Sequence, residues 1–254
     1  MENSSVIDLL LKHKSIRKYT ADPVPEAVLR KVLAAGTRAA TTGNMQLYSV
    51  IVTKDPARKQ ALAPLHFNQP MITEAPVVLT FTADVNRFQQ WCEQREAGRA
   101  YDNLLWYVCA TLDCMLMAQN TVVAAEAMGL GTCFLGTTLY TAKEQCAFFE
   151  LPAGVMPLTT LTLGYPAEQP EETDRLPLEA VVHSERYEPY TPQAIDRLFG
   201  PKESSELTRR LLEENGLPNL AQIFTLRRYP LADNLTFSQH YLELLKTQGF
   251  LDKQ

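Results

Sequence analysis

Between Lys12 and Lys18 the chain reads KHKSIRK, which sets five residues able to carry positive charge, Lys12, His13, Lys14, Arg17 and Lys18, around one serine, Ser15. Arg17 offers a planar, permanently charged fork and Ser15 a hydroxyl, the combination suited to a phosphate monoester. The same run also fits the solvated end of a short helix, where basic side chains are favoured by the macrodipole. Composition leaves both readings open. A second candidate is GLGTCFLG, which departs from the dinucleotide fingerprint: that pattern needs glycine where Phe134 stands, and a strand rather than a helix before it. Gly129 and Gly131 are expected to end a helix and turn into a strand. Gly136 opens GTTLYTAKE, where small residues would let the backbone approach a flat ligand. His13, His66, His183 and His240 are isolated, so no zinc site is expected, and no G-x-S-x-G elbow supports hydrolase chemistry.

The elements that must position these residues follow from apolar spacing. A short helix is expected over Val6 to Lys14, and a second begins at Glu26, behind two prolines, with Val28, Leu29, Val32 and Leu33 on one face. TTGNMQ breaks it. LYSVIVTKD reads as a largely buried strand, APVVLTFTAD as another, and LTTLTLGYPAE as a third. From Asp102 to Met128 the chain is apolar on nearly every face without Gly or Pro, which predicts one long helix. Asp113, Gln119, Asn120 and Glu126 argue against a membrane span, so this helix is expected against its own sheet and a second subunit. The more polar tail, with ELTRRLLEEN and SQHYLELLKTQGF, is expected to be a helical extension over 201–254 packed on a core of 1–200.

Bulk properties bound the function. The chain has 254 residues, 46% hydrophobic, and a formal net charge of −5, so no general attraction to nucleic acid or anionic lipid is expected. Five cysteines, Cys92, Cys109, Cys114, Cys133 and Cys146, form no CxxC pair. They point to a reducing compartment. The N-terminus lacks a signal-peptide pattern, and the cytoplasm is the expected location.

The segment HKSIRKYTADPVPEAVLRKVLAAGTRAATTGNMQLYSVIVTKD, with MAQNTVVAAEAMGLGTCFLG, LTLGYPAE, DRLP and a tail carrying FTLRRY and QGF, resembles the FMN-dependent nitroreductase family. It is most similar to the larger branch of NADPH-type nitroreductases and flavin reductases with a C-terminal extension. The resemblance implies an α+β fold with a mostly antiparallel central sheet, in an intertwined homodimer with flavins at the interface. It implies FMN as bound cofactor, NADPH or NADH as donor, and ping-pong reduction of nitroaromatics, quinones or flavins. A flavin reductase serving a partner monooxygenase, or a flavin-binding protein without turnover, are the alternatives. No side chain is expected to act as acid, base or nucleophile, because the cofactor carries the chemistry.

Residue by residue, the resemblance assigns His13, Ser15 and Arg17 to the FMN phosphate and ribityl chain. Lys14 stands where the family usually has arginine, keeping charge but losing the fork. Thr41, Thr42 and Gln46 are implied beside the isoalloxazine, with their amides and hydroxyls on its pyrimidine side. Gln69, Leu135, Gly136 and Thr137 are further flavin contacts, the turn at 135–137 acting through its backbone. Arg175 is implied at the phosphate, while Thr173 replaces a lysine the branch often has there. Arg209, Arg210, Arg227 and Arg228 are candidates for gripping a nicotinamide 2′-phosphate, or plain surface charge.

Overall fold

The computed structural model describes residues 5–251. These fall into two compact units, the first comprising residues up to 171 together with 239 onward, the second residues 172–238. The expected boundary at 200/201 falls inside a helix of the second unit, and the end of the chain returns to the first unit's core through Leu244, Leu245 and Phe250.

The first unit opens with α1 (Ser5–Leu11) and α2 (Glu26–Gly36). The basic residues predicted as the end of the first helix lie beyond it, because the chain leaves the helix after Lys12 to run along the sheet. Strand β1 (Tyr48–Thr53) follows, then α3 (Pro56–Leu62), α4 (Met71–Glu74) and β2 (Val77–Asp84). Helices α5 (Asn86–Gln94) and α6 (Leu104–Ala127) lead to β3 (Gly131–Leu135), α7 (Ala142–Phe148) and β4 (Val155–Gly164). The strands pair in the order β1-β2-β4-β3, antiparallel throughout. The fold is α+β, as expected.

The central strands β2 and β4 are buried at every position, β4 extending several residues further upstream than its sequence suggested. Strand β1 differs from its expected burial: it is an edge strand, with only Tyr48 and Thr53 fully covered and Val52 exposed. An edge strand lacks a neighbour on one side, so apolar content alone does not bury it.

One face of the sheet packs on α2 and α6. Helix α6 starts at Asn103, whose side chain accepts from the Trp106 N–H, and ends where Gly129 takes a left-handed φ of 77°. Helix α2 lies so close that a Cβ on Gly36 would stand 2.3 Å from Thr121 Oγ1 of α6. The opposite face carries a smaller cluster of Leu62, Ala63, Met71, Ile72, Val78 and Leu135.

The second unit contains α8 (Pro192–Glu203), α9 (Glu206–Asn215) and α10 (Leu220–Ile223), the last continuing into a π-helical turn at Phe224–Arg228. Helix α11 (Leu231–Thr247) begins in this unit and ends in the first.

Candidate cofactor site

The basic segment is an added edge of the sheet, not a helix end. The Ile16 N–H donates to Thr132 O at 2.8 Å, and Ser15 bridges Thr132 in parallel. The approach requires Gly131, where a Cβ would meet Ile16 at 2.7 Å. Downstream, Tyr19 donates its hydroxyl to Ile16 O at 2.6 Å, and burial raises its pKa. The N–H groups of Arg17 and Lys18 both reach Glu168 Oε1, at 2.6 and 3.0 Å. His13 Nδ1 pairs with Glu126 Oε1 of α6 at 2.6 Å, which leaves only Nε2 for any ligand. With the backbone so engaged, the Ser15 hydroxyl, the Lys14 ammonium and the Arg17 guanidinium have no hydrogen-bond or ion-pair partner among the described residues. Arg17 is exposed; Lys14 and Ser15 are half-buried.

Strand β3 leads from Thr132 directly to the turn at Leu135–Thr137, which the structure joins to Gln69. His66 Nδ1 lies 2.8 Å from Thr137 Oγ1, the Gln69 N–H donates to His66 O at 3.1 Å, and Thr141 Oγ1 donates to Leu65 O at 2.7 Å. Phe67 and Asn68 adopt left-handed φ angles of 54° and 55°, which reverse the chain ahead of Gln69. His66 is 0% exposed, and burial pulls its pKa down to about 4, so the ring is neutral at pH 7. Its Nε2 is a buried nitrogen without a partner among the described residues. Leu135 is buried in the smaller apolar cluster, so only its backbone is available, whereas Gly136 is exposed and open space surrounds the position of a Cβ.

The third group is the loop Thr41–Gln46. Asp113, buried within α6, accepts from Thr41 Oγ1 at 2.6 Å, Thr42 N at 2.8 Å, Thr42 Oγ1 at 2.9 Å and Leu47 N at 3.4 Å. Here the geometry differs from the expectation that the threonine hydroxyls donate to a ligand: each has a single hydrogen, and Asp113 takes it. Gln46 remains exposed, its carboxamide 3.4 Å from Asn44 O.

Arg175 lies in the second unit, exposed, with Nη1 on the carbonyls of Thr173 and Asp174 at 3.2 and 3.0 Å. Arg209 and Arg210 are exposed on α9. Arg228 lies over the Phe224 ring at 5.2 Å, and that ring stacks on Tyr229, while Arg227 shares the same π-helical turn.

Sequence reasoning missed the residues that hold these segments in place: Glu126, Glu168, Asp113 and His66, together with Arg87, which donates to the carbonyls of Gln46 and Tyr48. Asp113 and Glu126 were visible as charges inside an apolar helix. A carboxylate there is costly unless it is hydrogen-bonded, which was the available signal.

The structure thus sets free cationic and hydroxyl groups on the added edge of an antiparallel four-stranded sheet flanked by a long core helix. The nitroreductase family model matches residues 10–165. The oxygen-insensitive NADPH nitroreductase of Salmonella typhimurium is 36% identical over 194 residues, covering 76% of this chain and 79% of that protein. An FMN reductase (NAD(P)H) of Bacillus subtilis is 32% identical over 97% of this chain and 98% of its own. A Bacteroides fragilis protein of known crystal structure superposes with a TM-score of 0.95 at 45% identity, covering 96% of this chain and 100% of that one. This chain belongs to the nitroreductase family, in its NADPH-type nitroreductase and flavin reductase branch.

Proposed function

We propose that the protein is an FMN-dependent NAD(P)H oxidoreductase of nitroreductase type, reducing nitroaromatics, quinones or flavins. The observation that carries this reading is the free set on the added sheet edge: the Ser15 hydroxyl, the Lys14 ammonium and the Arg17 guanidinium have no partner among the described residues, while the N–H groups of Ile16, Arg17 and Lys18 are engaged elsewhere. Such a set fits a phosphate monoester held by charge-assisted hydrogen bonds. The second group fits the flat part of the same cofactor, since Gly136 leaves an opening and Gln69 is fixed beside it through His66. When bound, FMN supplies acceptance of a hydride from reduced nicotinamide and its passage to a second substrate. The protein's own residues bind, orient and shield at this edge: Arg17 and Ser15 hold the phosphate, with Lys14 adding charge. Backbone N–H groups at 135–137, with Gln69 and Gln46, offer fixed donors to a flat polar edge.

The site is completed by a second copy of the chain. On α6, Leu104, Leu105, Val108, Leu112, Met115 and Leu116 are exposed, an apolar stripe on one face at about 100° per residue. The helix is long and apolar enough to cross a membrane by composition, but its other side is packed on the sheet. The stripe turns polar at Gln119, and on the same face further along stands Glu126, the partner of His13. Asp113 and Glu126 are 13 residues apart on this helix, so the anchors of the threonine loop and of the basic segment lie roughly 20 Å apart along its axis. A two-fold partner seated on the stripe makes a reciprocal contact in which each copy covers the other's exposed apolar residues.

NADPH is the proposed donor, with Arg209, Arg210, Arg227 and Arg228 as the cationic residues for its extra phosphate. All five cysteines are free thiols, which supports a reducing, cytoplasmic setting. The test is an absorbance spectrum of the purified protein, followed by anaerobic addition of NADPH and, separately, NADH. A flavin band that bleaches and returns on adding a nitroaromatic or quinone is expected; protein that holds no flavin and takes none up refutes the reading.

A further inference from the structure

Asp113 is a carboxylate, 2% exposed, inside the most apolar helix of the molecule, and no cation lies within ion-pair range of it among the described residues. Burial of a carboxylate is unfavourable unless its oxygens are satisfied, and here all its donors come from one short stretch, Thr41, Thr42 and Leu47. That stretch is strained. Gly43, Asn44 and Gln46 have φ angles of 56°, 57° and 54°, two of them at residues with side chains, a state that persists only when surrounding contacts over-determine it. Thr41 Oγ1 donates to Asp113 and at the same time accepts from the Gln46 N–H at 2.9 Å, so one hydroxyl ties the end of the loop to the helix. Arg87 clamps the far side, donating to Gln46 O and to Tyr48 O. Gly43, Asn44 and Gln46 are left exposed at the tip.

From this arrangement we infer that Asp113 is a positioning residue for flavin reduction. It absorbs the donors at the base of the loop, holds the tip in its left-handed form, and so presents Gln46 and the tip amides to the flavin. It also places a negative charge beneath that edge, which opposes charge accumulating on the reduced cofactor. The inference rests on the proposed function, which sets this loop beside FMN. A carboxylate serving only the fold would satisfy the same hydrogen bonds without influence on the cofactor.

The experiment compares wild type, Asp113→Asn, Thr42→Val and the double variant as purified holoenzymes, measuring the FMN dissociation constant and the flavin midpoint potential. Asn keeps the shape but loses the charge, and it turns a donor toward a set of donors. Expected for Asp113→Asn are FMN binding weakened ten-fold or more and a higher midpoint potential, with the effects of Asp113→Asn and Thr42→Val on binding less than additive because they share one contact. Lower thermal stability with unchanged binding, or with a potential that does not rise, overturns the inference. If Asp113→Asn does not fold, the variant carrying Thr41→Val and Thr42→Val keeps the carboxylate and removes the hydroxyl links. Ten-fold weaker FMN binding is then required, and binding within two-fold of wild type overturns the inference. Wild type that takes up no FMN defeats the proposed function itself, whereas wild type and Asp113→Asn binding FMN alike defeats only the role of Asp113.

Discussion

Leu112 stands near the middle of the exposed stripe on α6 and is 59% exposed in the single chain. If that stripe is the subunit interface, the exposed part of this side chain is buried twice in a symmetric dimer. Full burial of a leucine contributes about 1.5–3 kcal/mol, so the fraction still exposed is worth about 1–2 kcal/mol per copy and roughly 3 kcal/mol per dimer. Leu112→Ala should therefore weaken dimerisation by roughly 100-fold, since about 1.4 kcal/mol is one factor of ten. Leu112→Glu should abolish it, because two carboxylates would have to be desolvated without partners. Neither change removes a core contact of the single chain, so helix content should persist. Sedimentation velocity across a concentration series reads the association directly, and flavin absorbance on the same samples reports whether FMN leaves with the partner. Wild type that sediments as a monomer at micromolar concentration, or Leu112→Glu that remains as associated as wild type, would refute both the interface and the completion of the site by a second copy.

Other consequences are equally open to measurement. Arg17→Ala should raise the FMN dissociation constant by roughly 10-fold or more, the range of a hydrogen bond to a charged group, and Arg17→Lys should recover only part of it, by fluorescence titration. His66 has a folded-state pKa of about 4 against about 6.5 when unfolded, so the unfolded chain binds the extra proton between those values. Its contribution to stability is present above about pH 6.5 and is lost as pH falls toward 4, a total of about 3 kcal/mol. Denaturant unfolding at pH 7 and pH 4.5 should show the decline, and His66→Gln should flatten it. Gly131→Ala places a methyl 2.7 Å from Ile16 and should cost about 1–3 kcal/mol while loosening the added sheet edge, read as a lower Tm with weaker FMN binding.

The parts of the fold that were legible in the sequence are those where one physical signal dominates. Helix α6 declared itself by an unbroken apolar run, and the observed span, Leu104–Ala127, lies just inside the predicted one. Strands β2 and β4 were legible because central strands buried on both faces need continuous apolar and β-branched residues. Burial of β1 was misjudged because sheet order is a long-range property: nothing in LYSVIVTKD records that its outer side lacks a neighbour. The basic segment left two readings open for a similar reason. Whether it ended a helix or lined the sheet depended on Thr132 and Glu168, both more than 100 residues away.

The candidate site was legible in its outward-facing residues and not in the carboxylates behind them. Arg17, Ser15 and Gln46 belong to local patterns, whereas Glu126, Glu168 and Asp113 act through contacts with |i−j| of 113, 151 and 72. Two of these carboxylates sit on α6, one holding His13 and the other the threonine loop. The helix that supplies the core and the exposed apolar stripe therefore also sets the spacing between the two segments proposed to meet the cofactor. A change of one residue in its length would rotate Glu126 by about 100° relative to Asp113 and shift it by about 1.5 Å along the axis. Insertion of a single alanine at Gln119–Asn120 should therefore separate His13 from Glu126 while leaving the Asp113 contacts intact. Weakened FMN binding with the threonine loop still protected from hydrogen exchange is expected, and unchanged binding would show that the spacing is not set by this helix.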